Sequence, residues 1–127
     1  MDPGLHTYFI DTFKAQVDAL VKLQAPSGLW HTILDDGSSY EEVSGSAAIT
    51  TGILKGIKLG ILDDSYQACA DKAVAAICEN VALDGTILNV SAGTGMGYDA
   101  DHYKKIAIMP MAYGQSLALV ALCEALK

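Results

Sequence analysis

The chain has 127 residues, a formal net charge of −7, eight lysines and no arginine, and about half of its residues are hydrophobic. This length and hydrophobic content suit one globular domain with a real core. Phosphate and base recognition depend on arginine and on a basic surface, so the sequence argues against nucleic acid as a partner. It also argues against an anionic membrane surface, and no apolar run is long enough to span a bilayer.

The N-terminal residues have neither the basic region nor the apolar core of a signal peptide, so we expect a cytoplasmic protein. The chain has three histidines and three cysteines: His6, His31, His102, Cys69, Cys78 and Cys123. The histidines are too scattered for a zinc site, and the cysteines lie in alanine-rich helical patterns typical of packing. Gly93-Thr-Gly-Met-Gly97 lacks the context of a dinucleotide loop. We therefore expect no metal and no cofactor.

Four helices are predicted from apolar residues that recur at three- and four-residue spacing. In chain order they run from Leu5 to Leu23, from Glu41 or Ser44 to about Leu59, from Tyr66 to Val81 and from Met111 to Lys127. The first should end by Gln24, since the residue before Pro26 is pushed out of the helical region. In the second, Gly52 and Gly56 favour the close approach of another helix, and Gly60 is placed to follow the helix end.

Two long connections separate the first helix from the second and the third from the fourth. Each contains a glycine followed by a short β-favouring piece, Trp30 to Leu34 after Gly28 and Thr86 to Val90 after Gly85, and the two glycines lie 57 residues apart. This spacing suits a repeat of antiparallel helix pairs. The sequence therefore predicts an all-α fold, a stacked or toroidal array of helical hairpins, with a ligand site at the long-loop end.

The candidate binding residues lie in these loops and at the start of the second helix. They are Trp30, His31, Asp35, Tyr40, Glu42, Ser44, Ser46, His102 and Tyr103. The Trp30 indole suits either a platform for a sugar ring or a place in the core. His31 is either a hydrogen-bonding partner for a sugar hydroxyl or uronate, or a structural donor. Asp35 precedes Gly-Ser-Ser with its neighbour Asp36 and also suits a turn former.

The segment from Tyr40 to Ser46 is the best cluster, because a helix start directs backbone N–H groups and serine hydroxyls towards the loop. The alternative is plain helix capping by Ser44 or Ser46. His102 and Tyr103 belong to the second long loop and are predicted to reach the same pocket. We expect Trp30, His31, Tyr40 and Glu42 to line one concave, solvent-accessible surface.

Several linked motifs carry a resemblance to a known family. They are Gln24-Ala-Pro-Ser-Gly-Leu-Trp-His, Leu34-Asp-Asp, Tyr40-Glu-Glu-Val-Ser-Gly-Ser-Ala, Lys55-Gly-Ile-Lys-Leu-Gly-Ile-Leu, Gly93-Thr-Gly and Tyr113-Gly-Gln-Ser-Leu-Ala-Leu. Together they resemble the unsaturated rhamnogalacturonyl hydrolases, glycoside hydrolase family 105. The resemblance implies that residues 1–127 form a single domain equivalent to the C-terminal third of an (α/α)6 barrel.

The resemblance also implies an activity on oligosaccharides that carry an unsaturated uronic acid, as in pectin degradation. In that family an aspartate protonates the enol-ether double bond and water adds to it, so the paired carboxylates of ordinary glycosidases are not needed. This aspartate belongs to the family's N-terminal half. No catalytic role is therefore assigned to Asp35, Asp36, Asp99 or Asp101, and the isolated chain is expected to be inactive.

An alternative reading is a non-catalytic carbohydrate-binding or oligomerisation module derived from the same fold. Both readings share an expectation about the surface, because about two hairpins cannot cover the outer faces of the first and last helices. The expected partners are therefore a second copy, in a homo-oligomer, or a complementary N-terminal half. The expected ligand, by resemblance, is an unsaturated uronic-acid oligosaccharide.

Overall fold

The computed structural model describes residues 2–127 and is mainly helical. Its helices are α1 (Pro3–Lys22), α2 (Val43–Lys58), α3 (Gln67–Glu79), α4 (Ala100–Lys104) and α5 (Ala112–Ala125), with a 3-10 turn at Asp64–Tyr66. Two short antiparallel strands, β1 (Trp30–His31) and β2 (Glu41–Glu42), close the first long loop. The predicted all-α fold and its four main helices are confirmed. The five-residue helix α4 was not predicted.

Local chemistry explains where these helices begin and end. The Asp2 carboxylate accepts the Leu5 N–H at 3.0 Å, and Pro3 occupies the first turn of α1, where no N–H is needed. At the end of α2, Gly60 adopts a φ of +67°. Its N–H bonds to the Ile57 carbonyl while the Ile61 N–H bonds to the Gly56 carbonyl, the pattern of a Schellman motif. The predicted role of Gly60 after the helix end is confirmed.

The core is organised around α2, which packs chiefly against α5 and α3. One buried cluster joins these three helices to both long loops: Leu29, Val43, Ala47, Ala76, Ile77, Ile87, Val90, Ala118 and Ala121. Helix α1 attaches through a second cluster that includes Val17, Leu20 and Ile53. At Gly56 a Cβ would lie 3.0 Å from the Phe13 ring and 2.7 Å from Leu62 Cδ1, so the predicted close approach at this glycine is confirmed.

The three cysteines do not share one environment. Cys69 is buried, and desolvation raises the pKa of its thiol, as expected for a packing residue. Cys78 and Cys123 are exposed. Their assignment to the core is wrong, because α3 and α5 carry apolar or alanine-rich residues on more faces than the neighbouring helices cover.

Apolar side chains remain exposed on both terminal helices, as expected. On α1 they are Leu5, Tyr8 and Phe9, and on α5 they are Tyr113, Leu119 and Val120, followed by Leu126 just after its end. An open cavity of about 380 Å³ lies between α1 and α2, and a second of about 250 Å³ continues it past Phe13 and Gly52. No helix within residues 2–127 combines the length and hydrophobicity needed to cross a membrane.

Gly114 allows α5 to approach the second long loop. A Cβ at this position would lie 2.5 Å from Val90 Cγ2, and both residues are buried. We expect Gly114→Ala to destabilise the fold by about 1–3 kcal/mol, the usual cost of overpacking a core. Urea denaturation measures this change. Val90→Ala in the same chain should restore part of the loss, so additive effects of the two substitutions would contradict the contact.

Candidate active site

The first long loop is closed by the ladder between β1 and β2. Trp30 pairs with Glu42 and His31 with Glu41, and the Thr32 N–H continues the ladder to the Tyr40 carbonyl at 2.8 Å. Only the first two residues of the predicted β piece, Trp30 to Leu34, form a strand. Residues 32–40 therefore form the loop of a hairpin whose base is fixed next to the start of α2.

Trp30 is a core residue, so its expected place on a solvent-accessible surface is wrong. Its side chain is only 2% exposed and packs in the same cluster as Val17, Leu20 and Ile53. The indole Nε1–H donates to the Leu20 carbonyl at 2.7 Å, which satisfies the one polar atom of the ring. Trp30 thereby fastens α1 to the first loop.

Glu42 is also buried, at 7% exposure, and the expectation that it lines the surface is wrong for the same reason. It is the N-cap of α2. Its carboxyl oxygens accept the N–H groups of Ser44 at 3.1 Å and Gly45 at 2.6 Å, the Ser44 hydroxyl at 2.8 Å, and the Ser91 N–H at 3.1 Å. The last of these bonds reaches the second long loop.

The serines of this segment have structural partners as well. Ser44 is a donor to Glu42, and the Ser46 hydroxyl donates to the Glu42 carbonyl at 2.6 Å while accepting the Trp30 N–H at 2.9 Å. Both serines are buried. Capping was one of the two readings of this segment, but the cap is Glu42 rather than either serine. The Tyr40–Ser46 segment therefore joins the two loops to α2.

His31, Tyr40 and Asp35 retain access to the loop surface to different degrees. Asp35 is exposed, whereas His31 and Tyr40 are partly buried. His31 Nδ1 lies 2.6 Å from the carbonyl oxygen of Ser39. The Tyr40 hydroxyl is buried and has no hydrogen-bond partner among residues 2–127. A buried hydroxyl without a partner costs free energy, so this oxygen is a natural place for a water or a ligand group to bond.

In the second long loop, His102 and Tyr103 stabilise their own segment. His102 Nε2 lies 3.0 Å from the Gly95 carbonyl, and the Tyr103 hydroxyl accepts the Gly97 N–H at 3.2 Å. The two rings contact each other edge to face, with centroids 5.2 Å apart. His102 is exposed and Tyr103 partly buried.

The two loops meet through Lys104, a residue that sequence reasoning missed. Its Nζ lies 2.6 Å from Asp36 Oδ2 and 2.8 Å from the Ser38 hydroxyl. The hydrogen bonds from Lys104 and Ser38 hold the pKa of Asp36 well below its usual range. The only sequence signal for this contact was a pair of adjacent lysines, Lys104-Lys105, in the second loop and a pair of adjacent aspartates, Asp35-Asp36, in the first. No cluster of metal-binding side chains occurs within residues 2–127.

The arrangement therefore offers hydrogen-bonding groups from two loops at the same end of the helices. His31 and Tyr40 come from the first loop, and α4 brings His102 and Tyr103 next to the lysine that bonds the first loop. Rings, hydroxyls and imidazoles of this kind suit a polyhydroxylated ligand. The nine candidate residues thus divide into four that are buried (Trp30, Glu42, Ser44 and Ser46) and five that are partly or fully exposed (His31, Asp35, Tyr40, His102 and Tyr103).

Comparison with known proteins identifies the family. The family model described as Glycosyl Hydrolase Family 88 matches residues 5–127. The chain belongs to Glycosyl Hydrolase Family 88. The curated relatives of this family 88 chain include the unsaturated rhamnogalacturonyl hydrolase YesR of Bacillus subtilis (strain 168), 43% identical over 117 residues, or 91% of this chain and 32% of the relative. Another is an unsaturated 3S-rhamnoglycuronyl hydrolase of Alteromonas sp. (strain LOR), 33% identical over 62% of this chain and 20% of the relative.

Solved structures agree with this family 88 membership. A possible member of the GH105 family from Salmonella enterica serovar Paratyphi A is 40% identical, with a TM-score of 0.96 over 98% of this chain and 33% of that one. A possible GH105 member from Klebsiella pneumoniae gives a TM-score of 0.95 at 40% identity over 99% of this chain and 33% of that one. The resemblance to unsaturated rhamnogalacturonyl hydrolases is confirmed. The chain spans about a third of the length of the Bacillus subtilis relative and of these two solved structures.

Proposed function

We propose that this chain is the segment of an unsaturated-uronide glycoside hydrolase that supplies two substrate-facing loops. The observation that carries the proposal is its superposition, over 98% of its length, on a third of a possible GH105 member. The relative with 43% identity is an unsaturated rhamnogalacturonyl hydrolase. The substrate proposed is therefore an oligosaccharide with an unsaturated uronic acid at its non-reducing end.

The proposed binding residues are the five candidates that are partly or fully exposed: His31, Asp35, Tyr40, His102 and Tyr103. Support comes from the bond between Lys104 and Asp36, which holds the two loops against each other. Trp30, Glu42, Ser44 and Ser46 would act indirectly, by keeping the first loop and the start of α2 in place. No residue of this chain is assigned as the general acid, a group that commonly contributes a factor of about 10² to 10⁴ in rate.

A segment exchange tests this function directly. The matching third of the Bacillus subtilis relative is replaced by this chain, and the loss of the ultraviolet absorbance of the sugar double bond is followed with an unsaturated rhamnogalacturonan disaccharide. The chimera should turn over the disaccharide, while the purified chain alone should not. The relative with its own segment re-inserted serves as the matched control. A folded but inactive chimera would contradict the proposal, as would activity of the chain alone.

The alternative function is a non-catalytic carbohydrate-binding or oligomerisation module. The observation that favours it is that hydrogen bonds within this chain hold the two loops and the start of α2 together. Isothermal titration of the chain with the same disaccharide separates the two functions. Measurable binding by the chain, combined with an inactive chimera, would support the module.

We further propose that the exposed apolar surface of α1 and α2 associates with a second copy when the chain is alone. Phe9 is 52% exposed and Leu59 is 72% exposed, and both line the cavity of about 380 Å³. In the longer enzyme proposed above, neighbouring hairpins would cover the same surface. Burying a side chain of this size contributes about 1.5–3 kcal/mol, which is enough to favour association when several take part.

Sedimentation at micromolar concentration tests this association. We expect the chain to sediment as a dimer or larger species, and the double substitution Phe9→Asp and Leu59→Asp to yield monomers. Lys105→Asp is a matched control, because Lys105 is exposed in the second long loop and does not line the cavity between α1 and α2. A folded wild-type monomer would contradict the proposal.

A further inference from the structure

The His31 ring is held in one orientation by its contact with Ser39. Nδ1 lies 2.6 Å from the Ser39 carbonyl oxygen, which can only accept a hydrogen bond. Nδ1 must therefore carry a hydrogen. In the neutral imidazole the other nitrogen, Nε2, then has a free lone pair and is an acceptor.

The position of the Ser39 carbonyl is set by the turn that begins at Asp36. The Ser39 N–H donates to the Asp36 carbonyl at 2.9 Å, and its hydroxyl donates to the same oxygen at 2.8 Å. That hydroxyl also accepts the Ile33 N–H at 3.2 Å. Ser39 is buried, so its main chain has little freedom to shift independently of this turn.

A residue outside the first loop, Lys104, holds this turn in place. Asp36 Oδ1 accepts the Ser38 N–H at 2.9 Å and the Ser38 hydroxyl at 2.6 Å, which closes a local Asx turn. Lys104, at the end of α4, then bonds both Asp36 and Ser38. The bond between Lys104 and Asp36 is charge-assisted and therefore stronger than a neutral hydrogen bond. It joins two residues that are 68 positions apart in the sequence. The lowered pKa of Asp36 agrees with this geometry.

We propose that Lys104 is a positioning residue that, through Asp36 and Ser39, keeps His31 in its Nδ1–H form with Nε2 presented as a hydrogen-bond acceptor. The ligand group that this acceptor suits is a sugar hydroxyl. A uronate carboxylate has only acceptor oxygens, so the neutral ring would not bond it through Nε2. The assignment of the ligand rests on the proposed function, whereas the tautomer and its dependence on Lys104 do not.

Long-range proton–nitrogen NMR of the intact chain tests the tautomer. Spectra are recorded at about pH 8, above the ordinary histidine pKa of about 6.5. We expect the Nδ1–H pattern for His31 in the wild type and a shift of the population towards Nε2–H in Lys104→Met and in Asp36→Asn. Lys104→Arg, which keeps a charged donor, should retain the wild-type pattern. Lys105→Met should also retain it, because Lys105 bonds Asp101 and not the first loop.

The outcomes separate this inference from the proposed function. An unchanged His31 pattern in folded Lys104→Met and Asp36→Asn would overturn the positioning role, and so would an Nε2–H pattern in the wild type. In an active chimera, Lys104→Met should raise KM several-fold with a smaller change in kcat, and Lys104→Arg should restore it. An unaffected KM would overturn the hydroxyl assignment. If the chimera with the unaltered chain is inactive while NMR gives the expected result, only the proposed function is contradicted.

Discussion

Glu42→Ala is expected to lower the free energy of unfolding by about 3–5 kcal/mol, because several buried groups lose their acceptor at once. The N–H groups of Ser44 and Gly45 at the start of α2 would be left without a cap, and the Ser91 N–H would be left unpaired in the second loop. Each unsatisfied buried group, here the N–H groups of Ser44 and Ser91, costs about 1–3 kcal/mol, and relaxation recovers part of the sum.

Chemical denaturation with far-ultraviolet circular dichroism measures this loss. Glu41→Ala is the matched control: Glu41 is the adjacent residue of β2, is less buried, and accepts one bond, from the Ser27 hydroxyl at 2.6 Å. Its replacement should cost less than about 1 kcal/mol, within the usual net contribution of one hydrogen bond. Equal losses for the two variants would mean that Glu42 does not join the two loops to α2.

Trp30→Ala is expected to destabilise the chain by about 3–5 kcal/mol, the usual cost of removing a buried aromatic side chain. The indole fills the space among Val17, Leu20 and Ile53, and its Nε1–H donates to the Leu20 carbonyl. Trp30→Phe keeps most of the volume and loses the hydrogen bond, so a smaller loss of about 1–2 kcal/mol is expected.

The control for Trp30 is Tyr98→Ala, which removes an aromatic ring that is almost fully exposed in the second loop. It should change the free energy of unfolding by no more than about 0.5 kcal/mol. Unfolding monitored by circular dichroism suits all of these variants, since tryptophan fluorescence is lost with Trp30. A stable Trp30→Ala variant would contradict the core assignment and restore the indole as a candidate sugar platform.

The helices could be predicted from the sequence because each has a local cause. Periodic apolar residues define α1, Pro26 prevents its extension, and Gly60 ends α2 with a positive φ. The boundaries predicted for these helices differ from the observed ones by only a few residues. The short helix α4 lacks an apolar stripe, and a five-residue segment is too short to show one.

The roles of the site residues were harder to predict, because they depend on contacts between distant segments. An indole suits a core and a sugar platform equally well, and only the position of α1 decides that Trp30 is buried. Glu42 escaped notice as a cap because serine is the more common capping residue and Ser44 stands two residues away. The bond between Asp36 and Lys104 joins residues 68 positions apart, for which no local pattern exists.

The bonds that complete the start of α2 come from far along the chain. The Val43 N–H donates to the Asn89 carbonyl at 3.0 Å, the Ser91 N–H reaches Glu42, and the main helical neighbour of α2 is α5. During synthesis on a ribosome, α1 and α2 emerge well before these partners do. The nascent chain therefore has to keep the apolar face of α2 away from other proteins until α5 has left the exit tunnel, and that interval is when chaperones and proteases compete for it.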